Sequence, residues 1–176
     1  MSNARNLARL LPDSSGKISL PSQVSGVLPD ANAPSGSVIQ VVNSTSTSEV
    51  WTSSSSFVDT GLSASITPTN TANKILVIVS QALFPQSNVG GRDEAECRIA
   101  LLRGATNISE QGCQIGIIGF GNQKRADTSQ SITLLDSPNT TSPVTYKTQM
   151  RGTGYENVYA QRSSFRSSIT LIEVTP

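Results

Sequence analysis

The chain contains no histidine. That absence removes Ser-His-Asp and Cys-His nucleophile pairs, the common zinc ligand sets, and the one side chain whose ordinary pKa lies near neutrality. Most hydrolytic chemistry loses its base, and metal chemistry would have to rest on oxygen ligands. Cysteine is nearly absent too: Cys97 and Cys113 are too few for a disulfide framework or a structural zinc site. Both lie in apolar strand-like runs and read as buried small hydrophobes, a bridge between them being the alternative. Aromatic residues make up 5% of the chain and charged residues 14%. The 13 basic and 12 acidic residues are dispersed, which leaves a net charge of +1 and no electrostatic footprint for nucleic acid or an anionic membrane. No run of about 18 apolar residues is present, and the first residues lack the apolar core of a signal peptide. The expectation is a protein that folds in the cytoplasm where it is made.

What the chain has in quantity is Ser and Thr, about a quarter of its positions. Hydroxyl and β-branched residues suit polar turns and the wet side of a pleated strand, whereas long amphipathic helices need far more Ala, Glu, Lys and Leu. Helix is expected to be scarce, and a chain of 176 residues fits one domain plus an appendage.

The composition changes near residue 36. Residues 1–36 hold Pro12, Pro21, Pro29 and Pro34 with sparse apolar residues, so this segment reads as an extended N-terminal arm that cannot build a core alone. Its one helical hint lies near residues 4–11, where Leu7, Leu10 and Leu11 fall on one helix face opposite Arg5 and Arg9. So short a helix is marginal in water. Leu7, Leu10 and Leu11, with Ile18 and Leu20 further on, are therefore the candidate partner-binding residues.

Residues 37–176 show short apolar runs between turn residues, the pattern of a sandwich or barrel. Expected strands are Val38–Val42, Val50–Thr52, Phe57–Val58, Leu62–Thr67, Lys74–Leu83, Glu96–Leu102, Gln114–Phe120, Ser131–Leu135, Val144–Met150, Asn157–Ala160 and Ser168–Val174. Ile75–Val79 is apolar on both sides, which marks the central strand and implies cover on both faces. Val144, Tyr146, Thr148 and Met150 alternate with Thr145, Lys147 and Gln149, one side core and the other wet. Asp136-Ser137-Pro138-Asn139 is a strong turn signal. With no helix long enough for a crossover, the fold class is all-β: an antiparallel two-sheet β-sandwich of jelly-roll type with an extended N-terminal arm.

Asp93, Glu94 and Glu96 form the densest acidic stretch, a chemistry that can hold Ca²⁺ or supply a glycosidase acid and base. Arg92 and Arg98 flank them, which suits a solvated loop with local pairing instead. Gly152-Thr153-Gly154 lacks the strand-to-helix context of a phosphate loop and reads as a turn. Trp51, Tyr146, Tyr155 and Tyr159 are either core and interface anchors or a platform for sugar rings. Asn43, Asn107 and Asn139 match the glycosylation acceptor pattern by chance in a chain so rich in Ser and Thr. No catalytic residue, cofactor or metal site emerges.

The run Ala4–Leu11 followed by Ser15-Gly16-Lys17-Ile18 resembles the N-terminal module of small tailed-phage structural proteins, notably from phages of cyanobacteria and marine bacteria. Ser37–Val42, Phe57–Leu62, Ile66–Pro68, Asn73–Val77, Leu101–Gly104, Leu135–Pro138 and Thr145–Lys147 follow in the order found in that family. The resemblance implies a non-enzymatic tail-fibre or virion structural protein whose sandwich commonly assembles as a homotrimer. Small size then favours a capsid decoration (cement) subunit on the virion surface, made in the host cytoplasm and docked to the major capsid protein or another virion protein through its arm. The alternative is a short tail-fibre or receptor-binding module, whose partner would be a host surface glycan.

Overall fold

A computed structural model describes residues 33–87, 94–116, 124–125 and 127–176. Residues 1–32 of the expected arm, with the helix expected near residues 4–11 and Leu7, Leu10, Leu11, Ile18 and Leu20, lie outside the described residues. One compact unit runs Pro34–Pro176. At its start the Gly36 amide donates to the Thr175 carbonyl at 3.3 Å, the Ser37 amide to Thr175 Oγ1 at 2.9 Å, and Thr175 Oγ1 to the Pro34 carbonyl at 2.6 Å. The C-terminal strand thus fixes residues 34–37 before the first strand begins.

The elements are β1 (Val38–Ser46), β2 (Val50–Thr52), β3 (Val58–Ile66), β4 (Lys74–Ser87), β5 (Glu94–Arg103), β6 (Thr106–Gly116), β7 (Lys124–Arg125), β8 (Thr128–Asp136), β9 (Val144–Arg151), β10 (Glu156–Ala160) and β11 (Ser167–Val174). Among the described residues the only helical element is a 3₁₀ turn, Arg162–Ser164. The molecule is an all-β sandwich of two antiparallel sheets. In the first, β4 pairs along one edge with β11 and then β10, and along the other with β8 and then β7. Outside these, β1 pairs with β11 and β2 with β10. The second sheet runs β3-β9-β5-β6.

The expected central strand is central, because β4 has neighbours on both edges. Ile75, Val77, Val79 and Leu83 point inward and meet Leu62, Ile66, Ile99, Leu101, Tyr146 and Met150 of the second sheet. Phe57–Val58 and Leu62–Thr67, expected as two strands, are one: β3 advances from Asp59 to Ser63 while β9 moves only from Gln149 to Lys147, a bulge around Gly61 at φ +79°, and this even insertion keeps the alternation, so Thr60, Leu62, Ala64 and Ile66 all face the interior. Gln114–Gly116 of the expected strand Gln114–Phe120 are the end of β6, which begins at Thr106, and residues 117–120 lie outside the described residues. Among the described residues β6 pairs only with β5 in its sheet, and its stretch Asn107–Gly112, polar but for Ile108, hides it from a search for apolar runs.

Cys97 and Cys113 are register partners on β5 and β6, both buried and both free thiols. Burial pushes the Cys97 thiol well above its ordinary pKa, and the neighbouring Cys113 adds to the effect. The turn after β8 is held by Arg103, which donates to both carboxylate oxygens of Asp136 at 2.9 Å, and by the fully buried Tyr146, whose hydroxyl donates to Asp136 Oδ2 at 2.6 Å. Burial and the Asp136 carboxylate raise the Tyr146 pKa. This cluster ties β8 of the first sheet to β5 and β9 of the second.

Glu173 closes the other end. Its buried carboxylate accepts from Asn73 Nδ2 and the Thr69 amide at 2.7 Å, from Thr69 Oγ1 at 2.8 Å and from Gln40 Nε2 at 2.5 Å. Burial works to raise its pKa, but these hydrogen bonds from Asn73, Gln40 and Thr69 outweigh it and hold it below the usual carboxylate range. A depressed folded-state pKa contributes stability that is present above the unfolded value, about 4.3, and is lost as pH falls through the folded value. Denaturant titrations are therefore expected to show stability declining below about pH 5. Glu173→Gln should be less stable at pH 7 by about 2 kcal/mol and should show a shallower acid decline.

Candidate interaction face

The outward surfaces of the two sheets differ in chemistry. The second sheet is wet and ion-paired: Lys147 meets Asp59 at 3.0 Å, and Glu110 is met by Arg98 at 3.2 Å and Arg151 at 3.6 Å. The acidic stretch read from sequence resolves into this lattice. Glu96 lies 3.8 Å from Arg98 and Glu94 accepts from Gln114 at 2.7 Å, while Asp93 and Arg92 lie outside the described residues. Lys147 and Gln149 also bind Asp59; burial acts to raise that carboxyl's pKa, but the bonds from Gln149 and Lys147 bring it below its ordinary value. Gly152-Thr153-Gly154 is the turn between β9 and β10, closed by Thr153, whose amide and hydroxyl donate to Glu156.

The first sheet presents a mostly neutral face. Register places Val41, Ile172, Leu76 and Leu135 side by side on β1, β11, β4 and β8, an aliphatic row that crosses the sheet. Val41 and Leu135 are 58% and 51% exposed, and Ile78 adds to the row from the next position on β4. Around Ile78 its own row is polar, with Asn43, Thr170 and Thr133, and the next row, Thr45, Ser168, Ser80 and Ser131, is wholly so. Period-two alternation explains the arrangement, since every second residue of an apolar run must face outward when the strand has one buried side. The expectation that Ile75–Val79 is covered on both faces meets a half-exposed outer side in the subunit alone.

Further along the same face the rows turn aromatic. Tyr159 on β10 is register partner to Trp51 on β2 and to Phe84 on β4. The Trp51 and Tyr159 rings lie 6.3 Å apart, Arg162 sits 4.5 Å over the Tyr159 ring, and Phe84 pairs with Phe165 at 5.5 Å. The four rings singled out from sequence thus separate: Trp51 and Tyr159 come together, Tyr146 is core, and Tyr155 is exposed in the β9–β10 turn. Phe84 and Phe165, unremarked in the sequence, complete the cluster.

Arg162 and Phe165 are presented by the loop between β10 and β11, which rests on a buried polar network. Gln81, in the inward register of β4, accepts from Thr148 Oγ1 at 2.9 Å and donates to Ser167 Oγ at 2.9 Å. Thr60 Oγ1 shares a hydrogen bond with Thr148 Oγ1, and the Ala82 amide donates to Ser167 Oγ at 3.0 Å. Gln161 completes the network, its amide orientation assigned from its neighbours: the oxygen then accepts from Gln81 Nε2 and Ser167 Oγ, and the nitrogen donates to the Thr60, Ser48 and Ala160 carbonyls. Gln161, Ser163 and Ser164 all take positive φ, between 53° and 62°. Each such residue costs roughly 1–2 kcal/mol, a strain that the packed and bonded Gln161 offsets.

No protein-family model matches the chain, and no curated protein is significantly similar to it.

Proposed function

We propose that this protein is a non-enzymatic structural subunit of a tailed-phage virion, a capsid decoration protein that docks through its N-terminal arm and associates with its own kind as a trimer. The observation that carries the reading is the contrast between the two sheet faces. A neutral face with an aliphatic row across it, on a subunit whose other face is ion-paired and wet, suits contact with protein. Pairing order adds support. If β1 with β2, β7 with β8 and β10 with β11 each count as one strand, the eight positions pair as 1-8-3-6 and 2-7-4-5, the order of a jelly roll. That architecture serves viral capsid and lectin domains among others. The want of histidine argues against a general base in the same direction.

A cement subunit binds the assembled state and not its parts, so it raises the temperature at which the particle releases its genome. Heating particles with and without the protein tests the proposal. The aromatic cluster favours a second reading, a short tail-fibre or receptor-binding module, whose loss would leave genome release unchanged and abolish adsorption to the host.

A further inference from the structure

The aromatic end of the first sheet's outer face contains an open groove of about 320 Å³. Phe165 forms most of its apolar surface, backed by the buried Phe84, with Ala82 between β10 and β8, and Asp127, Ser129 and Arg166 stand around it. Clefts of this size, largely apolar with a few convergent polar groups, are the usual form of a small-molecule site. Phe165 is 56% exposed although a buried core lies directly beneath the sheet. Asp127 and Arg166 are exposed as well, and neither side chain takes part in a hydrogen bond or ion pair with another described residue.

We propose that this groove binds a neutral pyranose sugar, with the apolar C–H face of the ring against Phe165 and its hydroxyls between Asp127 and Arg166. A sugar needs both kinds of surface at once. The aromatic face carries a negative quadrupole that attracts polarised C–H groups. A carboxylate only accepts and a guanidinium only donates, so the pair together can engage neighbouring hydroxyls, each of which does both. A purely apolar occupant, such as a leucine or phenylalanine side chain of another protein, would strip water from Asp127 and Arg166 and give them nothing in return. A phosphate or other anion would face the Asp127 carboxylate.

The site is built in advance of any ligand. Gln161, buried and bonded on all sides, holds the left-handed loop that delivers Phe165 and Arg166, so little ordering remains to be done on binding. Tyr159 and Trp51 continue the aromatic surface across two further strands, a reach on the order of 10 Å, so a second sugar unit would meet Arg162 and Trp51. The inference goes beyond the docking role and holds whether the subunit sits on the capsid or the tail.

Calorimetric titration of the full chain with glucose, galactose, mannose, N-acetylglucosamine and their short oligosaccharides tests it. At least one series is expected to bind saturably, more tightly as the oligomer lengthens, and to shift the fluorescence of Trp51, the single tryptophan. Phe165→Ala and Asp127→Asn should each weaken that binding about tenfold or more while the protein still unfolds cooperatively, and Asp127→Asn, whose side chain is exposed, should leave the melting temperature unchanged. Silence across the whole panel, or binding that both substitutions leave intact, would overturn the proposal. So would a groove that takes up an aromatic peptide and no sugar.

Discussion

The unaltered chain is expected to sediment as a trimer, and Val41→Lys and Leu135→Lys introduced together are expected to leave a folded monomer. Both positions are more than half exposed in the subunit, and they stand at opposite ends of the aliphatic row with β11 and β4 between them. The fold loses little, because neither side chain enters the core. The interface loses much: each apolar side chain buried between subunits is worth about 2 kcal/mol, and two such losses raise the dissociation constant by about three decades even before the cost of burying charge. Analytical ultracentrifugation at micromolar concentration reads the outcome directly. A trimer that survives both lysines would place the contact elsewhere, and a strict monomer in the unaltered protein would remove the self-association from the account.

The second large effect lies inside the sandwich. Gln81→Leu keeps the size of the side chain but takes partners from Thr148, Ser167 and Gln161, all of them buried. Each group left unsatisfied costs about 1–3 kcal/mol, so a loss of about 3–5 kcal/mol is expected. For a domain of this size that corresponds to a fall of roughly 10 °C or more in melting temperature. Thermal unfolding followed by circular dichroism gives the number. A shift of only about 2 °C would mean that the network is not what holds the β10–β11 loop.

These two sites differ in how far the sequence discloses them. The inward and outward sides of β9 follow from period-two alternation, so the core residues Tyr146 and Met150 are readable from the sequence alone; Ile75–Val79 is apolar on both sides, and in β4 only the fold separates the inward Val77 from the outward Ile78. Gln81 holds an inward position in the same alternation, and a polar residue there is a signal that can be read; its partners cannot, because Thr60, Thr148, Ser167 and Gln161 come from four other parts of the chain. The groove is less legible still. Phe84 and Phe165 meet only because β4 pairs with β10 and the following loop doubles back in left-handed conformations that no glycine announces. The start of β6 is hidden for a different reason: an edge strand with one wet side can be polar without penalty, so a search for apolar runs begins at Gln114 and passes over Thr106–Cys113.

Phage particles depleted of this protein, by deletion or by mild stripping, should release their genome at a lower temperature than complete particles, and adding the purified protein back should restore the difference. At a hundredfold excess over its dissociation constant each occupied site stabilises the shell by about 2.7 kcal/mol, summed over every site on the capsid. Genome release measured by dye accessibility during a temperature ramp decides the matter: a lower release temperature in the depleted particles, with adsorption to the host intact, is the predicted result. Identical release curves with adsorption abolished would contradict it and assign the subunit to the tail.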